Sequence, residues 1–230
     1  MELTKVLFIG NSYTYFNNLP FMLENLSSAV GKAVQAQSVT RGRKTLQWHW
    51  HNPQTLDILD QGHWDFVVLQ EQSTRPVNEP EQMRRAVARF ASRIQKSGGT
   101  PLLYLTWARQ RIPEMQDALT KTYLSITQEF DAWIAPVGPA WAKALADSPE
   151  LTLHAEDESH PNILGSYLAA CVFYAVLFRE TPMRLPAQFR LSPDVTVIID
   201  TSRARFLQEV AWSTCRDAWD AYSKADTDKA

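Results

Sequence analysis

A serine hydroxyl is a poor nucleophile at neutral pH. It attacks a carbonyl only when an imidazole takes its proton and a carboxylate holds that imidazole in the right tautomer. This chain carries the three groups in the order Ser, Asp, His. Ser12 follows the apolar run Val6-Leu7-Phe8-Ile9 and the turn Gly10-Asn11. Far along the chain, Asp157-Glu158-Ser159-His160-Pro161 places a carboxylate three residues before an imidazole. Gly-x-Ser and Asp-x-x-His are each common on protein surfaces, so only their conjunction carries weight. The chemistry it points to is acyl transfer through a covalent intermediate. Ser12 is the expected nucleophile, His160 the general base and acid, and Asp157 the group that orients the ring.

These residues need a scaffold that brings distant segments to one edge. Residues 5–9, 34–40, 65–70, 102–106 and 133–137 read as strands; 5–9 and 65–70 are apolar without alternation, as in a parallel sheet covered on both faces. Between them, Leu19, Leu23, Leu26 and Val30, then Met83, Ala86, Val87, Phe90 and Ile94, then Leu119, Tyr123, Ile126 and Phe130 recur at helical spacing. Asn18 and Pro20 look like the start of the first of these helices, and Gly98-Gly99 like the stop of the second. The pattern predicts an α/β fold, a three-layer α/β/α sandwich around a parallel sheet of about five strands. A nearly all-apolar helix over 162–178, with Pro161 at its first position, packs deep against the sheet. Residues 181–193 read as a surface connection, and a final helix over about 202–222 gives way to a polar tail. Ser12, Gly42 and Gln70-Glu71-Gln72-Ser73 each follow a predicted strand, at the carboxyl edge where open α/β sheets place their sites.

The composition permits this and excludes other readings. The 230 residues suit one α/β domain, and 45% apolar with 21% charged residues is the balance of a globular protein. A net charge of -2 gives no global attraction to nucleic acid or an anionic membrane. With no apolar run near the length of a membrane span and no leader pattern at the start, a cytoplasmic location is the expectation. The two cysteines, Cys171 and Cys215, form no disulfide framework and read as buried thiols. No Gly-x-x-x-x-Gly-Lys or Gly-x-Gly-x-x-Gly loop is present, so no nucleotide cofactor is expected.

The layout resembles the SGNH (GDSL-like) hydrolase family, from the first strand to the helix after His160. Phe8-Ile9-Gly10-Asn11-Ser12 is similar to the family's first block, with Asn11 where many members have aspartate; Ser12 matches the nucleophile. Gly42 is placed like the second-block glycine, whose backbone N–H serves the oxyanion hole. Asp157 and His160 match the last block. The resemblance implies a flavodoxin-like fold and esterase activity on a small-molecule or carbohydrate acyl ester. The third block departs from the pattern, since Gln70-Glu71-Gln72-Ser73 stands where the family usually has Gly-x-Asn-Asp. A glutamine also ends in an amide donor, so Gln72 is the expected third oxyanion donor beside the N–H groups of Ser12 and Gly42. Gln70, two positions earlier on the same strand face, is the alternative.

Other features invite other readings. His154, Glu156, Asp157, Glu158 and His160 are dense in metal-ligating types, as are His49 and His51, but no His-Glu-x-x-His or Cys-x-x-Cys spacing accompanies them, and a metal-free site is expected. Trp48-His49-Trp50-His51 reads as a pocket rim or as surface packing, and Arg109 and Arg111 as solvated loop charges. An acyltransferase using the same acyl-enzyme, and a non-catalytic carbohydrate- or protein-binding domain, are the competing functions; the complete Ser, Asp, His set disfavours the latter.

Overall fold

The computed structural model describes residues 3–227. The apolar opening segment forms β1 (Leu3–Gly10), and a one-turn helix α1 (Ser12–Tyr15) follows the Asn11 cap. Asn17 and Asn18 take left-handed backbone angles, which asparagine tolerates, and turn the chain into α2 (Leu19–Ala29). Asn18 does not cap α2 with its side chain, which instead donates to Leu191 O at 2.8 Å. Next come β2 (Ala33–Thr40), the short helices α3 (Leu46–Trp50) and α4 (Pro53–Gln61), and β3 (Phe66–Leu69). A single turn α5 (Arg75–Asn78) leads into α6 (Pro80–Lys96), which stops before Gly98, at φ +84°. Then follow β4 (Thr100–Tyr104), α7 (Met115–Phe130), β5 (Trp133–Ala135) and α8 (Val137–Asp147). The fifth strand is shorter than 133–137 because Val137 already begins a helix.

All neighbours in the five-stranded sheet run parallel, in the order β2-β1-β3-β4-β5. The chain leaves β1 toward one edge and returns beside it as β3 to grow toward the other. The carboxyl ends of β1 and β3 therefore flank the topological switch point, where such sheets open a crevice. Alternate strand residues feed two separate cores. Val6, Phe8, Val68, Leu102 and Tyr104 face α2, α8 and α9 (Ile163–Phe178), while Leu7, Ile9, Val67, Leu69 and Leu103 face α3, α4, α6 and α7. Both faces are covered, which is why β1, β3 and β4 lack polar alternation, whereas the edge strand β2, with Gln35 and Gln37, is half-exposed.

α9 is buried almost all round, with Phe173 set edge-on to Phe8 (5.3 Å, 74°) and Tyr104 (4.9 Å, 81°). Asn162 caps it by accepting from Gly165 N at 3.0 Å, so the helix begins two residues after Pro161, which pairs with His154 in an isolated bridge. The segment expected as a plain connection over 181–193 instead leads into an antiparallel hairpin, β6 (Gln188–Ser192) and β7 (Val195–Ile198). Pro193-Asp194 is a turn dipeptide followed by the β-branched run Val195-Thr196-Val197-Ile198, a hairpin signal that the prolines around it obscured. The hairpin docks through Phe189, stacked on Tyr167 at 5.4 Å, and through Arg190 N, which donates to Asn25 Oδ1 at 2.8 Å. The final helix α10 (Thr201–Thr227) runs beyond the expected 202–222, and residues 228–230 of the expected tail lie outside the described residues. Among the described residues no helix is long and apolar enough to cross a membrane.

Phe173 is fully buried at the contact of α9 with the sheet. Phe173→Ala is expected to cost about 3–5 kcal/mol in urea unfolding, the range for large-to-small changes in a packed core. A loss below about 1 kcal/mol would mean that α9 is not the main cover of this face.

Candidate active site

The turn after β1 is held from both sides. Asn11 N–H, buried and past the end of the strand ladder, donates to Gln70 Oε1 at 2.8 Å, and the Thr14 hydroxyl donates to the same oxygen at 3.1 Å. Gly10 O accepts from Arg41 N at 3.1 Å and from His49 Nε2 at 2.8 Å, while His49 Nδ1 meets Thr55 Oγ1 at 3.1 Å. A Cβ on Gly10 would lie 2.6 Å from Gln70 Oε1 and 2.7 Å from Thr14 Oγ1, so only glycine admits this close approach. Asn11 also accepts from Tyr13 N with its side-chain oxygen and donates from Nδ2 to Lys44 O at 3.1 Å. That last bond ties the loop containing Gly42 to the serine turn. It requires an amide, since the ionised aspartate common at this position accepts only.

The turn presents Ser12 half-buried, and Ser12 Oγ lies 2.8 Å from His160 Nε2. His160 Nδ1 is hydrogen-bonded to Asp157 Oδ2, and Asp157 Oδ1 accepts from His160 N at 2.9 Å and Ser159 N at 3.1 Å. One carboxylate oxygen thus shapes the loop and the other orients the ring. Burial by itself raises the Asp157 carboxyl, but these bonds from the His160 ring and the two backbone N–H groups hold it down at about 2. The depressed value favours the folded state above the ordinary carboxylate range and is lost as pH falls toward 2. At 51% side-chain exposure its weight in stability is small. His160 precedes the α9 cap by two residues, so it does not stand at the positive end of the helix.

Packing fixes the imidazole in place. Its ring stacks on Phe16 at 4.0 Å and meets the edge of Tyr13 at 5.5 Å. Tyr13 stacks on Trp107 at 4.7 Å, and Trp107 on Trp141 at 4.1 Å. The Tyr13 hydroxyl shares a 2.7 Å hydrogen bond with Ser159 Oγ, and Trp107 Nε1 donates to Ser159 O at 3.0 Å. These buried tryptophans form a pillar under the histidine loop. Trp107 and Trp141 carry no sequence mark of that role, because the two come from different elements.

The two glutamines part company after β3. Gln70 is fully buried, its oxygen on Asn11 and Thr14 and its amide on Glu71 O, so it clamps the serine turn and is shielded from a substrate. Gln72 turns its oxygen toward the start of α5, accepting from Thr74 N and Arg75 N at 3.0 Å each. Its amide nitrogen makes one long contact, 3.5 Å to Ser73 Oγ. Among the described residues nothing accepts from the backbone N–H of Ser12 or Gly42. Between Gln70 and Gln72, Glu71 is wholly buried, and burial pushes its carboxyl up to about 7. Sequence reasoning assigned neither Glu71 nor His49 a buried role: the third block drew attention to its glutamines, and His49 read as part of a rim.

The remaining expectations divide. His49 is buried beneath the serine turn and does not belong to a rim; Trp50 packs edge-on against Phe90 and Trp48 lies under Lys44. His154 Nε2 is bonded to Ala108 O at 3.0 Å, and burial lowers the affinity of both His49 and His154 for a proton. Among the described residues no three His, Cys, Asp or Glu side chains converge as a metal site. Arg111 is not merely solvated but pairs with Glu158, while Arg109 is exposed. Cys171 and Cys215 are buried free thiols, with Cys215 pushed up to about 12 by burial.

No protein-family model matches the chain, and no curated protein matches it. Solved structures do. A DUF4886 family protein from Bacteroides uniformis aligns with a TM-score of 0.75 at 18% identity, over 92% of this chain and 94% of that one. A candidate SGNH hydrolase from Slackia heliotrinireducens aligns with a TM-score of 0.64 at 27% identity, over 76% of this chain and 100% of that one. A catalytic mutant of the acetylxylan esterase from Geobacillus stearothermophilus gives a TM-score of 0.61 at 15% identity, over 77% and 95%. These likenesses agree with the α/β fold and with the family resemblance read from the blocks around Ser12, Gly42, Asp157 and His160.

Gln70→Ala leaves the buried Asn11 N–H without an acceptor. It is expected to lower unfolding stability by about 1–3 kcal/mol, the penalty for an orphaned buried donor. Stability unchanged in a calorimetric scan would contradict the clamp.

Proposed function

We propose that this chain, an SGNH-like hydrolase, is a serine esterase that works through an acyl-enzyme. The observation that carries the reading is the continuous relay from Ser12 Oγ to His160 Nε2 at 2.8 Å and from His160 Nδ1 to Asp157. Ser12 Oγ attacks the ester carbonyl while His160 Nε2 takes its proton, and Asp157 supports the imidazolium that results. The negative charge on the carbonyl oxygen is received by the N–H groups of Ser12 and Gly42 and by the Gln72 amide. Collapse breaks the bond to the alcohol, which leaves with the proton from His160. Water then attacks the acyl-enzyme with His160 again as base, releasing the acid and restoring Ser12.

Support for the Gln72 role comes from its division of labour: the oxygen caps α5, which fixes the side chain, and the amide hydrogens are left for another partner. Acetylated sugars are the first substrates to test, since the Geobacillus neighbour is an acetylxylan esterase. The relay calls for no metal: His160 uses both ring nitrogens within it, and His49 and His154 each engage a backbone carbonyl.

Ser12→Ala is expected to reduce hydrolysis of acetylated sugars and short acyl esters by ~10⁴ to 10⁶ with the fold intact, while EDTA leaves the wild-type rate unchanged. Activity retained by a folded Ser12→Ala protein would sink the mechanism. Product analysis with and without sugar acceptors separates hydrolysis from acyl transfer. Gln72→Glu keeps the cap oxygen and removes the donor. It should cut kcat by ~10² to 10³ with little change in KM, and a kcat within threefold of wild type would remove Gln72 from the oxyanion hole.

A further inference from the structure

Glu71 lies between the two loops that supply the proposed oxyanion donors. Its Oε1 accepts from Gln72 N at 2.6 Å and from Leu46 N at 3.2 Å. The first N–H belongs to the loop after β3 and the second to the start of α3, four residues beyond Gly42. One oxygen therefore bridges both loops, while the Gln70 amide donates to Glu71 O from the serine side. The other oxygen, Oε2, is buried with no hydrogen-bond partner among the described residues, as are Tyr123 Oη and Thr106 Oγ1.

We propose that Glu71 is a positioning residue of the oxyanion hole that works as a neutral carboxylic acid, and that its ionisation slows the chemical step. The proposal rests on the esterase reading above. A carboxylate in a fully buried setting needs a cation or several donors. Glu71 has two N–H donors, both on one oxygen. Arg75, the cation on α5 that bears on it, has its guanidinium on Gln47 Oε1 and Glu79 Oε1. The other charged group that bears on it, Glu79 at the end of α5, is unfavourable to a negative charge, while burial keeps the Tyr123 phenol on α7 protonated and neutral.

A neutral acid fits the surroundings better. Its carbonyl oxygen has two lone pairs for the two N–H groups, and protonation of Oε2 removes the charge from an oxygen that receives no donor. Ionisation would place a negative charge one residue from the Gln72 amide, where the oxyanion develops its own. That repulsion acts on the transition state more than on the neutral bound ester, so it lowers kcat more than it raises KM. The elevation of the carboxyl to about 7 puts the change within the working range of pH.

Glu71→Gln fixes the neutral arrangement, with an acceptor at Oε1 and a donor in place of Oε2–H. The test is kcat for 4-nitrophenyl acetate between pH 6 and 9, with Ser12→Ala as the blank. Wild type is expected to lose at least about fivefold in kcat over the upper two units, and Glu71→Gln to lose that descending limb. Parallel profiles for the two proteins would overturn the proposal while leaving the esterase reading in place. An independent readout is the pH titration of the Gln72 and Leu46 backbone amides by NMR in wild type, which needs neither activity nor a folded variant. Joint movement with a midpoint near 7 is expected, and a midpoint below about 5 would overturn the proposal. If no Ser12-dependent hydrolysis were found, the esterase reading would fail and the amide titration would still decide the state of Glu71.

Discussion

Past the last rung of β1 the chain must turn sharply, and the Asn11 N–H is left buried with no strand to bond. Gln70 Oε1 accepts it at 2.8 Å from the first residue beyond β3. A buried donor without a partner costs more than a typical hydrogen bond yields, so this contact governs where the turn can sit. The rest of the site is built on it. His49 pins Gly10 O from the far side, and Asn11 reaches Lys44 O to fix the loop of Gly42. The serine turn, the Gly42 loop and the loop after β3 are thereby one hydrogen-bonded unit at the switch point of the sheet.

The histidine loop is joined to that unit by packing. Ser12 and Tyr13 are consecutive residues of one helical turn. The first meets His160 through its hydroxyl, and the second carries the pillar on which the histidine loop rests. The separation of Ser12 Oγ and His160 Nε2 is therefore set by rigid aromatic contacts and by Trp107 holding Ser159 O.

The sequence showed clearly what depends on periodicity and order. Uninterrupted apolar strands, the helices between them and the spacing Asp-x-x-His are local patterns, and the relay followed from placing them on one sheet edge. What stayed hidden depends on side-chain direction after a strand ends. Gln70 and Gln72 looked equivalent at spacing two, but β3 stops at Leu69, and beyond it the alternation that would align them no longer holds. His49 looked like part of a rim because nothing local distinguishes an imidazole aimed at a backbone carbonyl from one facing solvent. Glu71 was invisible for a related reason: a carboxylate is read as surface unless the sequence names its partners, and here they are backbone N–H groups. The β6–β7 hairpin was legible in its Pro-Asp turn and β-branched run, but neighbouring prolines made the segment resemble a connection.

The account stands or falls on Ser12 attacking a carbonyl whose oxygen is received by the neighbouring loops. The most direct measurement is a crystal structure of the protein after reaction with an alkyl phosphonate ester, which mimics the tetrahedral intermediate. The account predicts phosphorus bonded to Ser12 Oγ, with one phosphoryl oxygen roughly 2.7–3.1 Å from the N–H groups of Ser12 and Gly42 and from Gln72 Nε2. An adduct on another residue, or a Ser12 adduct whose oxygen points away from all three donors, would contradict it.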